Sequence, residues 1–465
     1  MLRVFRRRAL LESRMPAQDD ALRPWQRWLL VLICAVFLGF GAIVELRSAF
    51  LKQRLGDFRV FAQAAWAARA GVDLYEIKVD GRWHYCYPPL LAILLYPLAD
   101  PPAGVDRAGM LPFGVSIGIW YVLSLLCLFF ATHVLASALE KRFTNPAARA
   151  PAPFGRRWWF FRLVPIAVCL APIGHTLMRG QVNLLLLALL CAALAALLRQ
   201  RRLQAGLWLA GAICIKMIPA FLLLYPIWRR DLRFLAGCAL GLVIGLAAIP
   251  AACFGPVQAY QQCHKLAEVM ILPGLGLGKD KSRAEELINV TATDSQSVLA
   301  ILHNTLHLDR ATRPRDASRK VRIASWLIGG LLTLATLWVG RKRLAQGAAA
   351  QVLFFGMLVL NMLFLSPVCH LHYFCLAVPV VMGLMARSME SQATGRVGPW
   401  VLCLLVVFAL CTWPAQIPGC EVLRDCGLSL YGGLLLWLAA LLAGLNRGQA
   451  RPASADSDRP LSVAA

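Results

Sequence analysis

Long apolar runs separated by short basic loops dominate the hydrophobic pattern of this chain. The runs are about 16 to 25 residues long, and about 20 apolar residues suffice for a helix to cross a membrane. Because a backbone in lipid must satisfy its own hydrogen bonds, such runs predict α-helices. The pattern therefore predicts an all-α polytopic membrane protein with about 10 to 12 membrane helices, some of them short, re-entrant or broken.

The individual runs define the predicted spans. They cover approximately residues 28–46, 111–135, 159–171, 184–198, 207–228, 235–252, 323–339, 352–365, 374–385, 400–412 and 428–445. The run 90–98 is bounded by prolines and is too short to cross, so we expect it to be re-entrant or interfacial. The run 207–228 has basic residues at both ends. Lys216 and Pro219 inside it predict a broken helix pair that rises to Lys216 and descends after Pro219.

The distribution of positive charge predicts which loops are cytoplasmic, because short cytoplasmic loops are enriched in Lys and Arg. The rule predicts a basic cytoplasmic segment 1–27, a transmembrane domain 28–445, and a Ser-, Asp- and Pro-rich cytoplasmic tail 446–465 that is expected to be disordered. The predicted external loops are 47–87, 173–183, 254–321 and 366–373. The first run is expected to be a retained helix, since no small-residue cleavage site follows it.

Composition narrows the class of protein further. Of the 465 residues, 59% are hydrophobic and 15% are charged, whereas charged residues make up about a quarter of an ordinary globular protein. The net charge of +24 resides mostly in short loops, where it indicates topology and contacts with anionic lipids, so no nucleic-acid partner is expected. Most of the 15 cysteines lie in apolar runs. Cys420 and Cys426 share one short loop and are the best disulfide candidates, if that loop faces an oxidising compartment.

Three charged residues on the predicted external side are candidates for chemistry. Asp57 follows the first span and is a candidate general base, or alternatively the N-cap of a helix that begins at Phe58. Lys216 lies among apolar residues at a depth where a lysine costs about 2.5–3.5 kcal/mol, so we expect it to face a cavity or a partner such as a phosphate. The alternative is that its side chain snorkels to the interface. Arg179 could share the phosphate or be a surface arginine.

Uncharged and aromatic residues on the same side are candidates for binding a sugar. Gln181 and Asn183 could hydrogen-bond sugar hydroxyls or cap a helix. Tyr75, Tyr85 and Tyr87, with Trp83, could stack on a sugar or form an interfacial aromatic belt. Gln296, within Ser295-Gln296-Ser297, could contact a sugar or belong to a helix cap.

Two histidines, His370 and His372, lie beside Tyr373 in the last of these external loops. A contact of at least one of them with a phosphate or a hydroxyl is the favoured interpretation. Metal ligation is less favoured because no acidic residue adjoins the pair, and no metal site is predicted. With both termini inside, all of these motifs fall on one face of the membrane, which indicates a single site.

These motifs, in their order along the chain, resemble glycosyltransferase family 87. They are an Asp after the first span (Asp57), G-x-x-L-Y (Gly71–Tyr75), Y-x-Y-P-P (Tyr85–Pro89), R-G-Q-x-N (Arg179–Asn183), K-x-x-P (Lys216–Pro219) and S-P-x-x-x-x-H-Y (Ser366–Tyr373). The resemblance extends over about residues 28–445. It implies the GT-C membrane fold and a polyprenyl-phosphate-sugar-dependent mannosyltransferase or a relative of that enzyme.

The resemblance implies a role for each matching residue. Asp57 would be the catalytic base, and Lys216 and His372 would lie near the donor phosphate. A sugar such as mannose would move with inversion from polyprenyl phosphate to an acceptor hydroxyl on a glycolipid or glycan at the external face of the inner or plasma membrane. The lipid-linked sugar is a substrate, and no cofactor is implied. Where relatives commonly have N-Q-S, this chain has Asp294-Ser295-Gln296-Ser297, and it has Cys369 where they often have Trp before the histidines.

Two other classes of protein share some of these features. A transporter or flippase of lipid-linked sugars would also be polytopic and basic, but it is expected to show inverted repeats and polar residues in broken helices at mid-membrane. In this chain only Lys216 lies deep, and no repeat is visible. A membrane-anchored binding or assembly protein is the third class, and it would tolerate Asp57→Asn.

Overall fold

The computed structural model describes residues 21–52, 55–143, 151–274, 277, 280, 282–287, 290, 294–341, 347–392, 394–414 and 417–445, except for the side chains at 284 and 285. Most of the basic N-terminal segment and the predicted cytoplasmic tail 446–465 lie outside these residues.

The described residues are almost entirely helical, which confirms the all-α fold class. The helices are α1 Pro24–Leu51, α2 Gly56–Ala70, α3 Pro89–Leu94, α4 Phe113–Glu140, α5 Arg156–Val168, α6 Leu170–Arg179, α7 Asn183–Leu198, α8 Arg202–Ile215, α9 Ile218–Arg229, α10 Leu232–Phe254, α11 Pro256–Leu266, α12 Ala284–Leu287, α13 Val298–Leu306, α14 Arg319–Val339, α15 Ala348–Leu365, α16 Leu371–Ser391, α17 Pro399–Thr412, α18 Glu421–Asp425 and α19 Leu428–Leu445. Strand β1 (Lys78–Val79) pairs antiparallel with β2 (Trp83–His84).

Seven of the described helices are long and apolar enough to cross a membrane, which confirms a multi-pass protein. They are α1, α4, α10, α14, α15, α16 and α19. The pair α5 and α6 passes the same test together but is bent by 66°, and α7, α8, α9 and α17 are shorter apolar helices. Helix α3 is short and buried, as expected for a run that does not cross.

Burial separates the central helices from the peripheral ones. Helices α7, α15 and α16 are buried on nearly every side, which suits the almost uniformly apolar sequences of α7 and α15. In contrast, α1, α10 and α14 expose most of their apolar residues, among them Trp28, Val243 and Trp326. Such apolar surfaces on long apolar helices are those that a bilayer would cover.

The predicted break at Lys216 is present. Helix α8 ends at Ile215, Lys216 is extended at φ −151° and ψ 129°, and a 3₁₀ turn begins at Ile218. Proline is tolerated at this place because Pro219 occupies the first turn of the new helix, where its missing N–H has no intrahelical partner.

A second break, between α5 and α6, was not predicted. The segment 173–183 was expected to be an external loop, but it is helical as far as Arg179. Two prolines account for the bend, since Pro165 lies inside α5 and Pro172 inside the first turn of α6, and neither can donate a backbone hydrogen bond. The turn that remains begins at Gly180, whose φ of 67° suits glycine.

The candidate disulfide pair, Cys420 and Cys426, is not bonded. All 15 cysteines of the chain lie within the described residues, and all are free thiols. Most are buried or half-buried among apolar side chains, where cysteine behaves as a small hydrophobic residue.

Glycines allow α8 and α10 to pack closely, and this contact yields a first prediction. A Cβ on Gly206 would collide with the carbonyl oxygen of Phe234, a backbone atom that cannot rotate away. We expect Gly206→Ala to lower the free energy of unfolding by about 1–3 kcal/mol, as overpacking does. Unfolding in mixed detergent micelles would measure it.

Gly211→Ala is the matched control, because Gly211 lies on the same helix and the nearest atom to its added Cβ is 3.8 Å away. Alanine favours helix over glycine by about 1 kcal/mol, so the control should be neutral or slightly stabilising. Equal losses in both variants would contradict the packing argument.

Candidate active site

Asp57 lies where α2 meets the end of α6. Its Oδ2 accepts a hydrogen bond from Arg179 Nε at 2.8 Å. Two glycines permit this approach: a Cβ on Gly56 would lie 3.1 Å from the Arg179 carbonyl oxygen, and one on Gly180 would lie 2.6 Å from Phe58 Cβ. The helix begins at Gly56 with Leu55 as its N-cap, so the alternative that Asp57 caps a helix starting at Phe58 is wrong.

The surroundings of Asp57 favour its ionised form. Burial by itself raises the pKa of this carboxyl, but the charge and hydrogen bond of Arg179 outweigh it and hold the pKa below its usual value. Gln181 adds a hydrogen bond to Asp57, and a positive charge on nearby His370 would act in the same direction. The Asp57 side chain remains 26% exposed, so a ligand could reach it.

Lys216 is buried, and its side chain contacts Asn183 and Tyr373. Its Nζ donates to Asn183 Oδ1 at 3.3 Å and lies 4.0 Å from the centre of the Tyr373 ring. The ring of Tyr87 is 5.5 Å away. The side chain is only 8% exposed, so the alternative that it snorkels to the interface is wrong. Lys216 has no carboxylate partner among the ion pairs of the described residues.

Asn183 connects Lys216 to the histidine loop. Its side chain is fully buried, with Oδ1 accepting from Lys216 and Nδ2 donating to the carbonyl oxygen of His372 at 3.2 Å. Because Val182 is the N-cap of α7, the alternative in which Asn183 itself caps that helix is wrong. With both ends of its amide engaged, Asn183 acts as a support for Lys216.

His372 has an unusual environment for a buried polar side chain. It is 1% exposed, and neither of its ring nitrogens has a hydrogen-bond partner among the described residues. The rings of His370 and His175 lie 5.3 Å and 5.4 Å from it, and Tyr373 stacks on it at 4.9 Å. Buried polar atoms are nearly always paired, so both ring nitrogens of His372 remain available to a ligand.

The structure gives His370 an acidic partner. The sequence does not predict this partner, because no acidic residue is adjacent to the histidines along the chain. Asp294 Oδ2 lies 2.9 Å from His370 Nδ1. The loop that carries Asp294 is attached to the histidine loop, since Ser295 Oγ accepts from the Cys369 backbone N–H at 3.1 Å and Ser297 Oγ donates to the Pro367 carbonyl at 3.2 Å. Such separated residues give no local signal in a single sequence. The described residues contain no group of three or more His, Cys, Asp or Glu side chains placed to hold a metal.

The predicted aromatic residues divide into two groups. Tyr75 and Tyr85 are fully buried, and their hydroxyls donate to the backbone carbonyls of Tyr87 and Pro88 at 3.0 Å and 2.7 Å. Neither can stack on a sugar in this conformation, so that expectation is corrected. Tyr87 is half-buried at the site, with its hydroxyl 3.5 Å from Gln181 Oε1.

Gln296 is also structural in this conformation. Its side chain is fully buried, and Nε2 donates to the carbonyl oxygen of Arg424 at 2.8 Å. Contact of Gln296 with an acceptor is therefore not supported. The helix-cap alternative is confirmed for Ser297, whose Oγ accepts from the backbone N–H of Ala300 at 3.2 Å at the start of α13.

The Asp294–His370 pair gives a second prediction. Burial raises the pKa of Asp294, but the close contact with His370, whose Nδ1 lies 2.9 Å away, and the charge of Arg179 outweigh it and hold the pKa below its usual value. A carboxyl with a lowered folded-state pKa stabilises the protein above its unfolded pKa and loses that effect as pH falls. Wild type should therefore unfold at a higher temperature than Asp294→Asn at neutral pH, and the difference should shrink below about pH 4.

Thermal unfolding in detergent from neutral pH downward would measure this difference. Asp316→Asn is the matched control, because the Asp316 side chain is 86% exposed. Its distance of 3.9 Å from Arg322 makes that ion pair a weak one. A constant gap between wild type and Asp294→Asn across the whole pH range would contradict the ion pair.

Together, the fold and the site define a polytopic membrane protein. At one end of its helical bundle it holds a carboxylate, the cationic side chains of Lys216 and Arg179, and the ring nitrogens of His372, which have no hydrogen-bond partner among the described residues. That combination suits an anionic lipid-linked ligand and removal of a proton. The sequence model of glycosyltransferase family 87 matches residues 85–369, more than half of the chain. The chain belongs to glycosyltransferase family 87 and is a membrane glycosyltransferase.

Two curated relatives are similar over most of their length. The polyprenol-phosphate-mannose-dependent alpha-(1-2)-phosphatidylinositol mannoside mannosyltransferase of Mycobacterium tuberculosis is 28% identical over 383 residues, which cover 78% of each chain. The enzyme of the same name from Mycolicibacterium smegmatis is 26% identical over 304 residues, which cover 64% of this chain and 60% of the relative.

Proposed function

We propose that this protein transfers mannose or a similar sugar from a polyprenyl-phosphate donor to a hydroxyl of a glycolipid or glycan acceptor. The relatives named above use a polyprenol-phosphate-mannose donor and a phosphatidylinositol mannoside acceptor, which supports both substrate classes. The observation that carries the proposal is the placement of buried Lys216 and unpartnered His372 at the same site as Asp57 and Arg179.

The donor phosphate would bind at Lys216 and the histidines. A buried lysine without a carboxylate partner is costly, and an anion entering from the membrane would remove that cost. His372 has two ring nitrogens without hydrogen-bond partners among the described residues. The nitrogen that carries a hydrogen could donate it to a phosphate oxygen. His370 lies beside this histidine, with Asp294 2.9 Å away, and Arg179 contributes positive charge nearby.

Asp57 would remove the proton from the acceptor hydroxyl. The acceptor oxygen bonds to the anomeric carbon as the bond from that carbon to the phosphate oxygen breaks, and polyprenyl phosphate leaves. One direct displacement inverts the anomeric configuration. Because Arg179 lowers the basicity of Asp57, we expect the proton to move late, when partial positive charge on the sugar has made the attacking hydroxyl more acidic.

The site would face the outside of the cell, with both termini in the cytoplasm. Support comes from positive charge at the far end of the bundle, where Arg229 Nη1 donates to the carbonyl of Gly340 at 3.2 Å, next to Arg341. Short basic loops are usually cytoplasmic, so the opposite end, which carries Asp57, is assigned to the exterior. The membrane would be the inner or plasma membrane.

Mass spectrometry of envelope glycolipids and glycans in a deletion strain tests this function. We expect the loss of one hexose- or pentose-sized increment and its return on complementation with wild type. A glycolipid and glycan profile identical to that of the parent strain would contradict the proposal. A transporter or flippase of lipid-linked sugars is the alternative function, and membership of a glycosyltransferase family argues against it.

A further inference from the structure

A groove lined by both polar and apolar residues lies where α10 ends and α11 begins. Its volume is about 520 Å³, within the range of small-molecule sites. Gly71 and Asp73, at and just after the end of α2, contribute to its lining, and the remaining lining residues are Phe254, Gly255, Pro256, Val257, Gln258, Gln261 and Gln262. None of these residues belongs to the set around Lys216 and Asp57.

The hydrogen-bonding groups of the groove are only partly used. Gln258 Nε2 donates to the Gly71 carbonyl at 3.0 Å, which leaves its Oε1 available, whereas Gln262 is buried and its Oε1 accepts from the Leu74 N–H at 3.4 Å. Gln261 is exposed, and its amide has no partner among the described residues. The three glutamines share one face of α11 because their spacing follows the helical repeat.

The charge of the groove favours a neutral ligand over an anionic one. Its lining contains no lysine or arginine, and Lys265, which reaches Asp73 Oδ2 at 2.7 Å, is also bound to Glu76 Oε1 at 2.7 Å. Amides and a carboxylate hydrogen-bond well to hydroxyl groups, and the apolar ring of Phe254 can pack against a sugar face. This chemistry matches a polyhydroxylated glycan.

The position of the groove relates it to the acceptor. Asp57 lies in the first turn of α2, and Gly71 caps its other end, so at about 1.5 Å per residue the two are roughly 20 Å apart. A chain of hydrogen bonds connects the groove to the site. Asp73 Oδ1 accepts from the Tyr75 N–H, the Tyr75 hydroxyl donates to the Tyr87 carbonyl, and the Tyr87 hydroxyl donates to Gln181.

We propose that this groove binds the part of an oligosaccharide acceptor that is remote from the hydroxyl under attack. The inference rests on the proposed function and deepens it, because it assigns the acceptor to extended glycans rather than single sugars. Binding energy from a remote part of a substrate can position the reacting hydroxyl at Asp57.

The test measures transfer from labelled polyprenyl-phosphate-mannose to the lipid extract of a deletion strain, which contains the accumulated acceptor. In the double variant Gln258→Ala/Gln261→Ala, we expect the apparent KM for the extract to rise about tenfold or more. The KM for the donor and the rate at saturating extract should stay near those of wild type. Glycan released from the extract should inhibit wild type more strongly than the variant.

Controls separate the possible failures. Tyr260→Ser changes an exposed residue of the same helix outside the groove and should leave both KM values unchanged. Gln261→Trp fills the groove and should reproduce the rise in acceptor KM, even if the double variant folds poorly. A normal acceptor KM in Gln261→Trp would overturn the groove assignment alone. Absence of transfer by wild type would overturn the proposed function, and the groove assignment with it.

Discussion

Replacing Asp57 with Asn should reduce the rate of sugar transfer by about 10²- to 10⁴-fold, the range that a positioned general base contributes. Asparagine keeps the shape of the side chain and can still accept a hydrogen bond from Arg179, but it cannot take up the proton of the acceptor hydroxyl. The KM for the donor should change little, because Asp57 is assigned to the acceptor. Steady-state kinetics of the purified protein would measure both quantities.

Asp80→Asn is the matched control for this experiment. Asp80 forms a comparable ion pair, with Arg59 Nη1 at 3.0 Å, and Arg59 belongs to the same helix as Asp57. The control should retain nearly full activity. Activity of Asp57→Asn equal to that of wild type would show that Asp57 is not the base.

Replacing Lys216 with Met should raise the KM for the donor by about 10- to 100-fold, the cost of losing a hydrogen bond from a charged group. The stability of the protein should stay close to that of wild type. Loss of the lysine leaves Asn183 Oδ1 without its donor, but it also removes a buried charge, and the two effects oppose each other.

The combination of weaker donor binding and unchanged stability distinguishes a ligand-binding lysine from a structural one. Lys320→Met is the control for the loss of one positive charge, because Lys320 is exposed in the first turn of α14. An unchanged donor KM in Lys216→Met, or a large loss of stability, would contradict the assignment of Lys216 to the donor phosphate.

The architecture was largely accessible from the sequence because a membrane requires long apolar helices, and their length and composition are local properties. The break at Lys216 was also accessible, since a charged residue and Pro219 mark it. The bend between α5 and α6 was not, although Pro165 and Pro172 lie there. Proline often remains within a membrane helix, so it does not by itself locate a bend.

The site could be predicted only in part from the sequence. Asp57 and Arg179 were both candidates, but their hydrogen bond depends on the glycine contacts that bring α2 against α6. Asp294 was not recognised as the partner of His370, because two separate loops supply them. The burial of Tyr75 and Tyr85 cannot be predicted from the sequence, because a short aromatic motif is the same whether its rings are buried or line a binding surface.

The most direct test of the central claim is transfer by the purified protein in liposomes. The donor would be polyprenyl-phosphate-mannose, and the acceptor would be the lipid extract of the deletion strain. We expect one polyprenyl phosphate to be released for each sugar transferred, with nuclear magnetic resonance showing an anomeric configuration opposite to that of the donor. Movement of intact donor across the bilayer without transfer would contradict the account, as would a product that retains the configuration of the donor.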